Sequence, residues 1–328
     1  MKTLAFTCGD INGIGPEICI KAINQIYSPS ERKIVLFCPS NVIEQELLGT
    51  AHSFSYQIIK DKFPQNLDPS YVTIINIGNY KQQVGKPTLF SGKAAFASLK
   101  RAYEAAALKL ADAIITAPVS KTAFKIAGIK YPGQTEIFAK YSKSKNYLMV
   151  FLSNKFICGL TTIHEPIKNV SRLITKQRIV SSIKTLNETL LRDLGKSSTK
   201  IAVLGLNPHA GENGNIGKEE FSSIGPAIRS IKNISVEGPF VPDAFFGSHK
   251  YEDYDAVLGM YHDQVLIPFK MMNFNSGVNY TAGLPIIRTS PDHGTGFDIA
   301  GRGIANPQSM LEAVKWAEKI ITNRRQKK

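Results

Sequence analysis

Short apolar runs rich in β-branched residues alternate along this chain with stretches whose apolar positions recur every three or four residues. The first pattern is that of a buried strand, the second that of a helix with one face on a core. Strands are predicted at Thr3–Cys8, Ile34–Cys38, Val72–Ile77, Ala113–Thr116, Tyr147–Leu152, Ile157–Thr162, Ile201–Leu206 and Asp255–Met260. Helices are predicted at Pro16–Tyr27, with proline in the first turn, from an N-cap at Ser91 to about Leu110, and at Thr122–Ala127 before Gly128. Three more are predicted: from about Ser171 to Leu194, stopped by Gly195, at Glu219–Ile231, and from about Gln308 to Asn323.

This alternation predicts an α/β fold with a mostly parallel sheet covered by helices on both faces. No low-complexity linker and no long-period repeat divides the chain, so its domains are expected to interleave. One echo stands out. Ala202-Val-Leu-Gly-Leu-Asn-Pro-His209 is similar to Ala256-Val-Leu-Gly-Met-Tyr-His262, and His164 follows Gly159-Leu-Thr-Thr-Ile163 in the same way. Each histidine thus falls just past the carboxyl end of a predicted strand, where open α/β sheets bind ligands.

Composition narrows the class. Of 328 residues, 43% are hydrophobic and 20% charged, a globular mixture that excludes disordered and collagen-like chains. Cys8, Cys19, Cys38 and Cys158 are widely spaced and form no CxxC pair, which predicts reduced core thiols of a cytoplasmic protein. No run of about 18 apolar residues and no leader-like start are evident, so neither a membrane span nor export is expected. The formal charge of +14 is scattered apart from the tail Arg324-Arg325-Gln326-Lys327-Lys328. With no nucleic-acid motif beside it, that charge reads as a solvated basic surface.

Three histidines in equivalent slots change the picture more. Neighbouring strands lie about 4.8 Å apart, so imidazoles at adjacent strand ends can converge on one ion at about 2.0–2.1 Å. Three protein ligands leave positions open for substrate, the pattern of a catalytic site. A lone strand-end histidine is more often a hydrogen-bonding residue; the threefold recurrence is what favours a metal. Of the glycine-rich segments, Gly9-Asp-Ile-Asn-Gly-Ile-Gly-Pro-Glu17 is no GxGxxG fingerprint. Gly211-Glu-Asn-Gly-Asn-Ile-Gly217-Lys218 lacks Walker A spacing and carries Glu219 where Ser or Thr is required, which argues against ATP hydrolysis. Between Lys270 and Pro307 the chain concentrates Lys270, Asn279, Arg288, Asp292, His293 and Asp298 among glycines. Basic side chains near histidines suit an anionic substrate.

His293-Gly-Thr-Gly-Phe-Asp298-Ile-Ala-Gly-Arg-Gly-Ile-Ala-Asn-Pro307 resembles the nucleotide-binding loop of isocitrate and isopropylmalate dehydrogenases, and Gly9–Glu17 their N-terminal turn. Thr116-Ala-Pro-Val-Ser-Lys121, Pro132-Gly-Gln-Thr-Glu136, Asn207-Pro-His-Ala-Gly-Glu212, Gly238-Pro-Phe-Val-Pro-Asp243, Tyr261-His-Asp-Gln264 and Thr289-Ser-Pro-Asp-His-Gly-Thr295 narrow the match. Together, over nearly the whole chain, they resemble the 4-hydroxythreonine-4-phosphate dehydrogenase family of pyridoxal phosphate biosynthesis. The resemblance implies two α/β/α domains of the isocitrate/isopropylmalate dehydrogenase type with mostly parallel sheets and an active site in the interdomain cleft. Residues 1–131 plus 275–328 are expected to form the nucleotide-loop domain, and 132–274 the central, metal-binding one with the dimer contacts.

The same resemblance implies a homodimer in which His164, His209 and His262 hold a divalent metal (zinc, cobalt or magnesium) at the subunit interface. Gln134, Thr135, Lys270, Asn279 and Arg288 match its substrate contacts, with Gln134 a positional match only. Asp243, Asp263 and Lys270 are the candidates for catalysis. His293, Gly294, Thr295 and Asp298 would line the nucleotide, and a carboxylate at Asp298 favours NAD over NADP. The implied reaction oxidises 4-phosphohydroxy-L-threonine to a β-keto acid that loses CO₂ to give 3-amino-2-oxopropyl phosphate. Two departures from the family pattern matter: Gln134 stands where histidine is usual, and Ile11-Asn12 where Pro-Ala is usual. Glutamine cannot carry a proton near neutral pH, so a paralogue acting on erythronate or threonate 4-phosphate is the alternative.

Overall fold

The computed structural model describes residues 1–60, 63–274 and 276–327, which cluster into two units. One comprises Met1–Lys143 and Leu284–Ile321, the other Ser144–Gly283 and Thr322–Lys328. In chain order the first unit opens with β1 (Lys2–Thr7), α1 (Gly15–Ile26), β2 (Arg32–Cys38), α2 (Ser40–Gly49), β3 (Tyr56–Lys60) and β4 (Val72–Asn76). It continues with α3 (Leu89–Ala107), β5 (Ala113–Thr116), α4 (Lys121–Ile126) and α5 (Gln134–Tyr141). The second unit holds β6 (Leu148–Leu152), β7 (Cys158–Leu160), α6 (Ile167–Leu173), α7 (Lys176–Glu188) and β8 (Lys200–Leu204). Then come α8 (Gly225–Ser230), β9 (Ser235–Phe240), α9 (Pro242–Gly247), β10 (Ala256–Gly259), α10 (His262–Asn273) and β11 (Val278–Ala282). The chain returns to the first unit in β12 (Arg288–Pro291) and most of α11 (Gln308–Gln326).

The strand order in the first unit is β3-β4-β2-β1-β5-β12, with parallel pairing. Leu4, Phe6, Val35, Phe37, Ile74 and Ile114 are fully buried, which is why these strands read as apolar runs rather than alternations. In the second unit the order is β11-β6-β7-β10-β8-β9. Here β7, β10, β8 and β9 run parallel, while β6 is antiparallel to both β11 and β7. Its core joins Phe151, Phe156, Phe245 and Phe269 to Leu204 and Val257, each large side chain worth about 1.5–3 kcal/mol of burial.

Several boundaries differ from the sequence pattern for local reasons. Ser91 sits in the first turn of α3, and Thr88 caps the helix: Thr88 Oγ1 accepts from Ser91 N while Ser91 Oγ accepts from Thr88 N. The single helix predicted from Ser171 to Leu194 is two helices, because the Thr175 side chain accepts from Arg178 N and starts α7 afresh. The helix predicted at Glu219–Ile231 begins as a wide turn over Glu220–Ile224 before α8. The break expected after residue 131 precedes α5, which packs in the first unit through Tyr103 against Phe138 and Tyr141, at 6.2 and 5.3 Å between ring centroids. The return expected at 275 likewise precedes β11, which pairs with β6 in the second unit. Lys328, the end of the basic tail, lies outside the described residues.

Candidate active site

In the first unit, the turn after β1 and the loop before α11 hold each other. Ile14 N donates to Thr295 O at 2.9 Å, and a Cβ on Gly13 would stand 2.4 Å from that same oxygen, so the turn accepts only glycine there. The far end of the loop is tied to α1. Glu17 Oε1 accepts from Ala305 N at 2.8 Å and from Lys21 Nζ at 2.7 Å, and Lys21 Nζ also donates to Gly303 O and Ala305 O. His293, Gly294 and Thr295 lie on the near part of this loop, with His293 Nδ1 3.0 Å from Gly294 O; Asp298 is exposed beyond them.

Beneath this turn, Asp10 is buried with its carboxylate accepting from Asn12 N at 3.0 Å and Ser91 Oγ at 3.1 Å. Burial pushes its pKa up to about 6 against these two hydrogen bonds. Asn12 has its own structural work: Nδ2 donates to Lys86 O and Thr88 Oγ1, and Oδ1 accepts from Gln83 N. Residues 83–88 are thereby laced to the turn, an order that alanine at this position could not supply.

The second feature of this unit is Arg288, the first residue of β12 and only 3% exposed. Its Nε donates to Thr116 Oγ1 at 3.0 Å and its Nη2 to Gln134 Oε1 at 3.0 Å; Gln134 Nε2 in turn donates to Ala117 O at 2.9 Å. Burial brings the guanidinium down to about 9, opposed by the charge of Glu136, so it remains a cation at neutral pH. Thr135, beside Gln134 at the start of α5, is buried as well.

In the second unit, β7, β10 and β8 are neighbours in that order and parallel, so His164, His262 and His209 follow three adjacent strands at one end of the sheet. His262 opens α10, and its ring lies 5.8 Å from that of His164 between centroids. His262 Nδ1 is 2.6 Å from Asp263 Oδ1, so the carboxylate orients the ring and Nε2 is the nitrogen that could take a metal. His209 is not gathered with the other two: among the described residues no three His, Cys, Asp or Glu side chains within the chain could hold one ion. It stands in a loop whose residues 209–213 all have positive φ. That loop is anchored by buried Glu220, which accepts from Leu206 N, Asn207 N and Asn207 Nδ2. Left-handed backbone costs a non-glycine residue about 1–2 kcal/mol, and such strain concentrates at functional loops.

Of the remaining candidates, Lys270 is half-buried on α10, Asn279 half-buried on β11, and Asp243 exposed in the first turn of α9. Asp263 is exposed and placed beside His262. Sequence reasoning gave no role to Thr116, Asp10, Glu17 or Glu220, although the first three open or lie within motifs it singled out.

A glycine-rich loop seated on the first βα turn, in a unit of parallel α/β architecture that also buries an arginine, places this chain among the α/β dehydrogenases, a class of oxidoreductase. Within that class, the chain belongs to the family described as "Pyridoxal phosphate biosynthetic protein PdxA", which matches residues 30–317. A 4-hydroxythreonine-4-phosphate dehydrogenase of Sulfurihydrogenibium sp. (strain YO3AOP1) is 40% identical over 321 residues, 97% of this chain and 98% of the relative. That of Aquifex aeolicus (strain VF5) is 39% identical over 322 residues, 98% of each chain. The crystal structure of 4-hydroxythreonine-4-phosphate dehydrogenase from Klebsiella pneumoniae aligns with a TM-score of 0.83 at 34% identity, covering 98% of this chain and 100% of that one.

Proposed function

We propose that this chain oxidises 4-phosphohydroxy-L-threonine with a nicotinamide cofactor, and that the product then decarboxylates to 3-amino-2-oxopropyl phosphate. The observation that carries the reading is Arg288: a guanidinium 3% exposed whose Nε and Nη2 donate to Thr116 and Gln134, in a chain of this family. A guanidinium fork suits bidentate binding of phosphate or carboxylate, and the substrate bears both.

Atoms and electrons balance as follows. The C–H bond of the secondary alcohol breaks with its electron pair passing to the nicotinamide as hydride, and the hydroxyl proton is released. The C–C bond to the carboxylate of the resulting β-keto acid then breaks, CO₂ leaves, and the electron pair is reprotonated on carbon. Thr135, Lys270, Asn279 and Arg288 are assigned to the substrate's anionic and polar groups. His293, Gly294, Thr295 and Asp298 are assigned to the nucleotide, with the exposed Asp298 carboxylate favouring a ribose 2′-hydroxyl and hence NAD.

His164 and His262 suit a divalent ion, since their rings are neighbours and His262 presents Nε2 with its other nitrogen on Asp263. When bound, such an ion supplies Lewis acidity; zinc, cobalt and magnesium all fit imidazole and substrate oxygens to differing degrees. The third imidazole, His209, fits a site completed between two copies of the chain, because one copy alone does not gather all three. Exposed apolar side chains, Ile267 and Met271 on one face of α10 and Phe274 just past its end, support a homodimer at the helix that begins with His262. Asp243 is kept only as a candidate proton carrier. Among the described residues no helix is long and apolar enough to cross a membrane, in keeping with a cytoplasmic enzyme.

The test is reduced-nicotinamide formation from 4-phosphohydroxy-L-threonine, compared with erythronate and threonate 4-phosphates, with NAD or NADP, with and without chelator. Turnover confined to the sugar-acid phosphates would overturn the substrate assignment, and chelator-insensitive turnover would remove the metal.

A further inference from the structure

Gln134 differs from a surface glutamine in having both ends of its carboxamide engaged. It is the first residue of α5 and 9% exposed. Nε2 donates to Ala117 O at 2.9 Å and Oε1 accepts from Arg288 Nη2 at 3.0 Å. The orientation is fixed by chemistry. A carbonyl oxygen only accepts and a guanidinium only donates, so a flipped amide would set oxygen against oxygen and NH₂ against the arginine fork. Arg288 Nε is held at the same time by Thr116 Oγ1, the residue preceding Ala117. Both of these contacts constrain the plane of the fork, and both trace back to adjacent residues at the end of β5.

We propose that Gln134 is a positioning residue for substrate binding: it acts through Arg288, setting the direction in which the guanidinium meets an anionic group of the substrate. The inference rests on the assignment of Arg288 to such a group under the proposed function. A neutral acceptor is what this task needs. A carboxylate in its place would add to the charge of Glu136 and offset the guanidinium further, and an apolar chain would remove the contact at Nη2. Gln134 is thereby a specificity element for doubly anionic acid phosphates, although it need not touch them.

The experiment is a double-mutant cycle on the full-length protein, with KM for the acid phosphate and for the nicotinamide, kcat and the thermal midpoint all measured. Gln134→Met is expected to raise the acid-phosphate KM about 10-fold or more while kcat and the nicotinamide KM change less than about 3-fold. Gln134→Glu, of the same shape, is expected to raise that KM at least as far. In an Arg288→Met background, Gln134→Met is expected to add less than about 2-fold, since its effect passes through the missing arginine. An equal rise in both backgrounds would show Gln134 acting on substrate directly and overturn the proposal. So would an unchanged KM in Gln134→Glu, or a fall in kcat and thermal midpoint with no change in KM. Loss of the substrate assignment reads differently: the unaltered protein then turns over no acid phosphate that Arg288→Met impairs.

Discussion

Arg324 Nε lies 2.7 Å from Asp193 Oδ1, and the carboxylate is fully buried. Arg192 reaches the same carboxylate at 2.8 Å and the Tyr280 hydroxyl donates to it at 2.5 Å. Burial works to raise the pKa of Asp193, but the hydrogen bonds from both arginines overcome it and hold it below the ordinary carboxylate range. The last turn of α11 is thus fastened within the second unit, where Asn323 Nδ2 also donates to Asp193 O. Removing one partner of a buried charge cluster leaves an uncompensated charge, at a cost of about 3–5 kcal/mol. Arg324→Met is therefore expected to lower unfolding free energy by that order in denaturant titration, and a loss below about 1 kcal/mol would show that Arg192 and Tyr280 suffice.

Asp10 gives stability a pH dependence of defined sign. Its pKa in the folded chain is raised from 3.8 to about 6, so the folded state holds this proton more tightly than the unfolded one. The contribution of this group to stability then falls as pH rises from about 4 to 6, and above that stays at a constant cost of about 2–3 kcal/mol. Asp10→Asn keeps the shape and removes the titration. The stability difference, variant minus wild type, is expected to grow between pH 4.5 and 7, and a difference equal at both pH values would refute this account.

The parallel strands that were legible are buried on both faces and read as uninterrupted apolar runs, as Ala113–Thr116 does, whereas the more exposed β3 and β9 were not. Strand β12 is missed for a different reason. Arg288, Thr289 and Ser290 are all buried, but their polarity hides the strand from a hydrophobic pattern. Sequence pattern fails there because hydrogen-bonded polar side chains, Arg288 on Thr116 and Thr289 on Ala313 O, occupy positions that packing alone would fill with aliphatic ones. The break at Thr175 was invisible for another reason: no glycine or proline marks it, and the cap exists only through the hydrogen bond from Arg178 N. The histidines were placed at three strand ends by the repeated strand–histidine pattern. That β10 lies between β7 and β8 is a fact of topology no local pattern contains.

Glu17 connects α1 to the glycine-rich loop, and its loss should appear in cofactor affinity. Its Oε1 is shared by Ala305 N and Lys21 Nζ, and Lys21 holds two further carbonyls of the loop. Glu17→Ala leaves a buried N–H without its acceptor and loosens Lys21. A rise of about 10-fold in the nicotinamide KM is expected, with the acid-phosphate KM within about 2-fold. Parallel rises in both constants would indicate a general loss of order instead.

The histidines offer the sharpest separation of chemistry from folding. His164 and His209 are exposed and His262 is half-buried at the start of α10, so none contributes to a core. His262→Ala is expected to abolish turnover, by about 10³-fold or more, while the thermal midpoint of the chelated protein moves by no more than a few degrees. Asp263→Asn should cost less, about 10–100-fold in metal affinity or activity, because Asp263 only orients the His262 ring through the 2.6 Å contact at Nδ1. Excess divalent ion should then recover much of the Asp263→Asn activity and none of the His262→Ala activity. Titration calorimetry with zinc on both variants checks the same ordering without relying on turnover. If Asp263→Asn binds zinc as tightly as wild type and still loses activity, Asp263 is engaged with the substrate and not with the ring beside it.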